Sequence, residues 1–186
     1  MRFTSYTSFM SIRGQVVISM PYSGQVLIRA ARPEDTPAIW LILQPIIRAG
    51  ETYALPRDMS ETDALAYWLG SGKDTFVAVD DDNIVGTYVL RPNQAGGGSH
   101  VCNCGYMTSP AATGRGIARQ MCAHSLEHAR ARGYRAMQFN FVVSTNERAV
   151  HLWHSLGFAT VGRLPLAFNH PTQGYVDALV MFQALG

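Results

Sequence analysis

Charge is scarce in this sequence. Acidic and basic residues together make up 15% of the 186 residues, and 15 Lys and Arg against 13 Asp and Glu leave a formal charge of +2. So small a balance, with no Lys/Arg block interleaved with aromatics, does not describe a face that tracks a phosphate backbone, and no nucleic-acid partner is expected. Long apolar runs are lacking too. Hydrophobic residues reach 47%, enough for a sizeable core, yet no run approaches the roughly 18 residues of a membrane span, so a soluble chain with no membrane partner is expected. Cysteine is limited to Cys102, Cys104 and Cys122. An odd, clustered set does not form a disulfide framework and fits a reducing cytoplasm, the expected location. No acidic residue precedes Glu34, and the first 24 residues are rich in Ser and Thr. That segment weakly resembles a targeting peptide but lacks its continuous apolar stretch. Met10 and Met20 leave a later start codon open, so residues 1–24 are set apart as an N-terminal extension (a frayed tail, an added strand or a start-site artefact) from one domain over residues 25–186.

What is present is an alternation of short β-type runs and helical stripes. Val26-Leu27-Ile28 reads as a strand, followed by the helix-start signal Arg32-Pro33-Glu34-Asp35 and a helix from Asp35 to about Arg48, with Pro45 expected to kink or divide it and Gly50 to close it. Ser60 with Asp63 opens a second helix ending at Leu69. Thr75–Val79 and Ile84–Leu90 flank Asp80-Asp81-Asp82-Asn83 and predict a hairpin; the aspartates suit a solvated tip better than a cation site, since no Gly and distal Glu complete a calcium loop. His100–Met107 is a strand, Gly116–Arg132 a helix with an apolar stripe at Ala118, Cys122, Leu126 and Ala129, and Ala136–Val143 a strand. Ser144-Thr145-Asn146-Glu147 has the form of a capping box before a helix that Gly157 ends. Phe158–Val161 and Tyr175–Phe182 complete the set, joined by an expected loop containing Pro165, His170 and Pro171. This order implies an α/β domain with a mixed sheet, parallel where a helix intervenes and antiparallel across hairpins.

The stretch richest in chemistry is Tyr106-Met107-Thr108-Ser109-Pro110-Ala111-Ala112-Thr113-Gly114-Arg115-Gly116-Ile117-Ala118, a strand leading through a Gly-rich turn into a helix. Backbone amides at Gly114, Arg115, Gly116, Ile117 and Ala118 are unpaired at a helix start, the helix dipole favours an anion, and glycine allows close approach, so the segment suits a phosphate. The bland alternative is an ordinary strand-to-helix turn. A P-loop is excluded because no Lys-Ser/Thr pair follows, and G-x-G-x-x-G is absent. Asn140 is the odd polar residue in Phe139-Asn140-Phe141-Val142, and must find partners for a carbonyl and an amide group, either in a cofactor site or on a neighbouring strand. His124 with His128, and His151 with His154, share helix faces but no third ligand is placed, so no metal is expected.

Thr113-Gly114-Arg115-Gly116-Ile117-Ala118 resembles the acetyl-CoA pyrophosphate loop of GNAT N-acetyltransferases, R/Q-x-x-G-x-G/A, with Thr113 in place of the usual Arg or Gln. Asn146-Glu147-Arg148-Ala149 and Leu156-Gly157-Phe158 resemble the N-x-x-A and L-G-F segments of the same family, and the likeness runs from about Val26 to Leu185. It implies a strongly twisted mixed sheet with helices on both faces, split open near the loop, and acetyl-CoA as cosubstrate without a metal. It implies that Met107 and Thr108 line the cofactor, with Asn140 and Asn146 beside the pantetheine arm; capping is the other reading of Asn146. The strand Val101-Cys102-Asn103-Cys104-Gly105-Tyr106-Met107 would run beside the thioester, with Asn103 facing substrate or, alternatively, held in a core hydrogen bond.

Direct attack of a neutral amine on the thioester needs reactants held together, a proton removed and a carbonyl polarised. Many members of the family have a Tyr before L-G-F to protonate the thiolate, whereas Trp153 stands here and cannot act as an acid. Tyr106 and Tyr53 are candidate replacements, and Glu51 or a water relay is the candidate proton acceptor. A covalent acyl-Cys route lacks a located His base. Val101 to Tyr106, Phe139-Asn140, Val143 to Asn146 and Gly162-Arg163-Leu164-Pro165 are similar to fungal and bacterial proline-analogue (azetidine-2-carboxylate-type) acetyltransferases, which implies a small amino or imino acid acceptor. Tyr53 and Asn103 are its candidate contacts, with Arg163, Arg57 or His170 for its carboxylate. A homodimer is an expectation of such folds. Acetylation of a peptide or protein, and a catalytically idle acyl-CoA-binding module that regulates a partner, are the other readings.

Overall fold

The computed structural model describes residues 26–186 and, before them, the backbone of two paired two-residue strands, β1 (Ser11–Ile12) and β2 (Gln15–Val16). The extension expected over residues 1–24 otherwise lies outside the described residues.

The main sheet has seven strands: β3 (Leu27–Ala30), β4 (Asp74–Asp80), β5 (Asn83–Pro92), β6 (Val101–Thr108), β7 (Ala136–Val143), β8 (Ala159–His170) and β9 (Gly174–Ala184), in the spatial order β3-β4-β5-β6-β7-β9-β8. All neighbours are antiparallel except β6 and β7, which the intervening helix α3 (Ile117–Ala131) makes parallel. Helices cover both faces, as expected. α1 (Thr36–Ala49) and α2 (Glu61–Leu69) bury Ile39, Leu43, Ile47 and Trp68 against Val77, Val89 and Met107. On the other face α3 and α4 (Glu147–Ser155) bury Met121, Cys122, Leu126 and Trp153 with Tyr88, Cys104 and Phe139.

The start of α1 is held by Asp35, 5% exposed, which accepts both Nη atoms of Arg29 at 2.7 and 2.8 Å and the Arg32 amide at 2.7 Å. Its carboxyl is held below the usual range, chiefly by the Arg29 hydrogen bonds. Pro45 does not divide α1, which is continuous to Ala49 and ends on Gly50 with φ of +65°. Leu41 and Pro45 are exposed, so the carbonyl four residues before the proline is left on the solvent side, where water can serve it.

Two local expectations are corrected. The helix α4 is capped by Asn146, whose Oδ1 accepts the Ala149 amide at 3.3 Å, not by Ser144. Ser144 still belongs to the sheet edge, its amide donating to Asp177 O at 2.9 Å. The stretch from 162 to 174 is also no loop: β8 and β9 form a long hairpin through it. Pro165 sits where the register shifts between Leu164 and Phe168, and Leu166 there has φ of +51°. A bulge on an edge strand is where proline costs a sheet least.

Candidate active site

β6 and β7 pair only at Val101↔Ala136 and Cys102↔Met137, although β6 continues to Thr108 and β7 to Val143. Beyond those two positions the strands part, and the β7-facing edge of β6 opens onto a cleft of about 550 Å³. Its lining runs from the start of α3 to the space under α2.

At the first end lie Gly114, Gly116 and Ala118. Gly114 and Gly116 have φ of +83° and +74°, and a side chain at either would meet nothing within 4 Å, so the backbone is open in front of both. Gly116 is the N-cap of α3 and no side chain caps that helix, which leaves its first amides unclaimed by a cap. The other loop residues hold this shape: Ile117 is 1% exposed in the core, and Arg115 pairs with Asp80 at the β4–β5 turn. Arg119 and Arg148, from the first turns of α3 and α4, also line this end. Sequence reading passed over both because isolated arginines on helices carry no motif.

The middle of the cleft is the β6 floor, with Met107 and Thr108 along it. Tyr106 turns its hydroxyl to Ser125 Oγ at 2.7 Å, and its ring lies 5.0 Å from that of Trp153. Tyr53 reaches over Gly105 and donates to Tyr106 O at 2.9 Å. Burial raises both phenols well above their usual pKa. It also pushes the Cys102 thiol up to about 12 and Cys122 to about 11, with Cys104 well above its ordinary value, so all three are thiols rather than nucleophilic thiolates near neutral pH. Trp153, 8% exposed, is an apolar wall between Tyr106 and Phe139.

At the far end Asn103 donates Nδ2 to Gln138 O at 2.8 Å, so its side chain spans the parting strands where the next ladder bond would have been. Asn140, which also lines the cleft, accepts from Gln138 Nε2 at 2.8 Å and donates to Asn93 Oδ1 at 2.6 Å. Tyr67, Lys73 and Arg91 complete the lining there. Glu51 does not line the cleft and is exposed. Arg163 pairs with Asp177 on the β8–β9 hairpin, Arg57 donates Nε to Arg48 O at 2.9 Å, and His170 is buried with Nδ1 accepting the Thr172 amide at 3.3 Å, so none of these three enters the cleft either. Among the described residues, the lining contains no Asp, Glu or His.

Residues 40–158 match the model of the acetyltransferase (GNAT) family. The chain belongs to the GNAT family. A GCN5-related N-acetyltransferase from Kribbella flavida has 42% identity and a TM-score of 0.82, over 86% of this chain and 97% of that one. The N-acetyltransferase aca1 of Schizosaccharomyces pombe is 33% identical over 99 residues, 53% of this chain and 47% of that protein, so the match spans about half the length of that relative. The GNAT fold also recurs in yncA of Salmonella typhimurium, solved with its cofactor acetyl-CoA, at 21% identity and a TM-score of 0.77 over 88% of this chain and 95% of that one. Among the described residues, no helix is long and apolar enough to cross a membrane.

Proposed function

We propose that the protein transfers the acetyl group of acetyl-CoA to the amine of a small molecule, an amino or imino acid, by direct attack of the amine on the thioester. The observation that carries this reading is a cleft with two unlike ends, one built of open backbone at a helix start and the other of amide and cationic side chains. The first end fits a diphosphate: the amides about Gly114, Gly116 and Ala118 offer donors, the α3 dipole favours negative charge, and Arg119 and Arg148 flank it. The unpaired edge of β6 offers donors and acceptors to the amides of a pantetheine arm, as it would to an added strand. When bound, acetyl-CoA supplies an acyl carbon already activated as a thioester.

With Asn103 Nδ2 engaged by Gln138, its Oδ1 remains to accept a hydrogen from the incoming amine and orient it. No carboxylate or imidazole lines the cleft among the described residues, so the amine proton passes to water. Tyr53 and Tyr106 have committed hydroxyls and raised pKa values, and Trp153 has no acidic proton to give, so the departing thiolate takes its proton from water. The buried thiols do not compete as nucleophiles. The resemblance to proline-analogue acetyltransferases favours a small acceptor of the azetidine-2-carboxylate type, and the 33% identity to aca1 supports transfer to nitrogen.

The test is thiol release from acetyl-CoA over a panel of amino acids, imino acids, polyamines and short peptides. Turnover on amino or imino acids is expected, with Asn103→Ala lowering kcat/KM about 10-fold, the worth of one hydrogen bond of roughly 1.4 kcal/mol. Turnover confined to peptides would replace the acceptor class, and acetyl-CoA binding without turnover on any amine would make the protein an acyl-CoA-binding module.

A further inference from the structure

Four cations line the cleft, and two of them stand together at its far end. Lys73, just before β4, and Arg91, near the end of β5, both line the far end of the cleft and both are half-buried. Their side chains converge on Tyr67 of α2: Lys73 Nζ lies 4.8 Å from the ring centroid and Arg91 Cζ 5.8 Å. Lys73 also donates to Tyr67 O. Among the described residues, neither forms an ion pair with a carboxylate. Other cations on the surface are served differently: Arg132 has Asp74 and Arg163 has Asp177. Half-buried like charges that repel each other are costly unless an anion joins them. The Lys73 ammonium shows that cost, its pKa lowered first by burial and then by Arg91.

Their position is set by register. Arg91 lies directly across from Asn103 in the β5–β6 ladder, so the two side chains share one face of the sheet and are immediate neighbours. From Asn103 to Thr108 the strand advances roughly 17 Å, which keeps these cations well away from the glycine loop at the start of α3. The cosubstrate's phosphates therefore have their own donors at the opposite end. What remains for Lys73 and Arg91 is the acceptor.

We infer that Lys73 and Arg91 form a carboxylate subsite beside Asn103, so that the acceptor is an amine bearing a free carboxylate on or next to the same carbon. This deepens the reading of the cleft as a small-molecule acetyltransferase site and rests on it. The planar fork of Arg91 can take both carboxylate oxygens, while Lys73, fixed by Tyr67 O, adds a point charge. Asn103 Oδ1, across the ladder from Arg91, then receives the amine. Two points of attachment on one small molecule fix which lone pair faces the β6 edge, and a bound carboxylate removes the repulsion between the two cations. The same cations disfavour a protonated amine that lacks a carboxylate, so they select against polyamines and simple amines as well as for acids.

The experiment compares each amino or imino acid that is turned over with its own carboxamide and methyl ester, on the unmodified enzyme and on Arg91→Gln, Arg91→Lys and Lys73→Met. On the unmodified enzyme, kcat/KM for the carboxamide and the ester is expected to fall roughly 10- to 100-fold below that of the acid, the worth of a charge-assisted hydrogen bond. Arg91→Gln should remove most of that preference through KM for the acid, while kcat/KM for the ester and KM for acetyl-CoA stay within about 3-fold. Arg91→Lys should restore part of it, and Lys73→Met should have the smaller effect of the two positions. Equal turnover of acid, amide and ester by the unmodified enzyme would overturn the subsite and leave the acetyltransferase reading standing. No turnover of any amine, with acetyl-CoA still bound, would overturn that reading itself. The comparison on the unmodified enzyme does not depend on the folding of any variant.

Discussion

The two ends of the cleft are built on opposite plans. The end at α3 comes mainly from one contiguous stretch, Thr108 to Arg119, with Arg148 added from α4, and the groups proposed to work there are backbone amides shaped by Gly114 and Gly116. The end proposed for the acceptor draws Tyr67 from α2, Lys73 from just before β4, Arg91 from β5, Asn103 from β6 and Asn140 from β7, and the groups proposed to work there are side chains. A backbone site needs residues that permit a conformation, and those must be adjacent in sequence. A side-chain site needs only that topology and register bring distant positions to one face. The first kind can be changed little without loss of the shared cosubstrate, while the second can be rebuilt for another acceptor one residue at a time.

If the glycine end is a backbone anion site, a side chain there should matter by its charge. Gly116→Glu sets a non-glycine residue at φ of +74°, costing about 1–2 kcal/mol of strain, and adds a negative group where phosphate charge belongs. The expected result is a rise in the acetyl-CoA Kd of about 100-fold by titration calorimetry, of which the strain accounts for a part. Gly133→Glu supplies the control, since Gly133 has φ of +82° at the other end of α3 and faces open space outside the cleft. It should melt earlier and bind acetyl-CoA normally. Equal weakening by both variants would show that helix stability, not anion binding, is what the glycines serve.

The acceptor end can be probed without any variant. With no carboxylate or imidazole lining the cleft among the described residues, no protein base stands there to deprotonate the amine, which must arrive neutral. A group that must lose its proton to react gains reactive form as pH rises towards its pKa. So kcat/KM should climb about 10-fold per pH unit below the pKa of the amine, with no plateau until that value is reached. A plateau starting near pH 6 to 7 would reveal a protein base at this end and would bring an acid or histidine from outside the present lining into the reaction.

The same contrast explains what could be read from the chain. The α3 start was legible because it depends on local period and adjacent glycines, whereas the split beside the glycine loop and the helices on both faces were legible only through the resemblance to the family. The long β8–β9 hairpin was not: Pro165 and Pro171 argue for a loop, and only the edge position of β8 makes a bulged strand acceptable there. Ser144-x-x-Glu147 satisfies a capping pattern, but sheet pairing of Ser144 shifts the helix start by two residues to Asn146. Arg163, Arg57 and His170 were read as carboxylate ligands because nothing in a sequence separates a cation that has a partner from one that lacks it. Asp177 and the Arg48 carbonyl claim the first two in space, and Arg91 becomes visible only through its register with Asn103.

Asn146 stands between the two plans, since it is a side chain at a helix start that also lines the cleft, and it gives the smallest and most discriminating test. Its Oδ1 accepts the Ala149 amide at 3.3 Å as the α4 cap, which leaves Nδ2 to donate into the cleft. Loss of an N-cap costs about 1 kcal/mol, so Asn146→Ala should lower Tm by about 2–4 °C for a domain of this size. Asn146→Ser keeps an oxygen acceptor for the cap but has no amide to donate. Serine is therefore expected to recover most of the Tm while the acetyl-CoA Kd stays about 3-fold weaker, the difference being the single Nδ2 contact. If Kd is the same for asparagine, serine and alanine, Asn146 is a cap and nothing more, and the cosubstrate is held by backbone and by Arg119 and Arg148 alone. If serine recovers neither property, the asparagine amide also holds the start of α4 itself, and the division between backbone-built and side-chain-built ends fails at this residue.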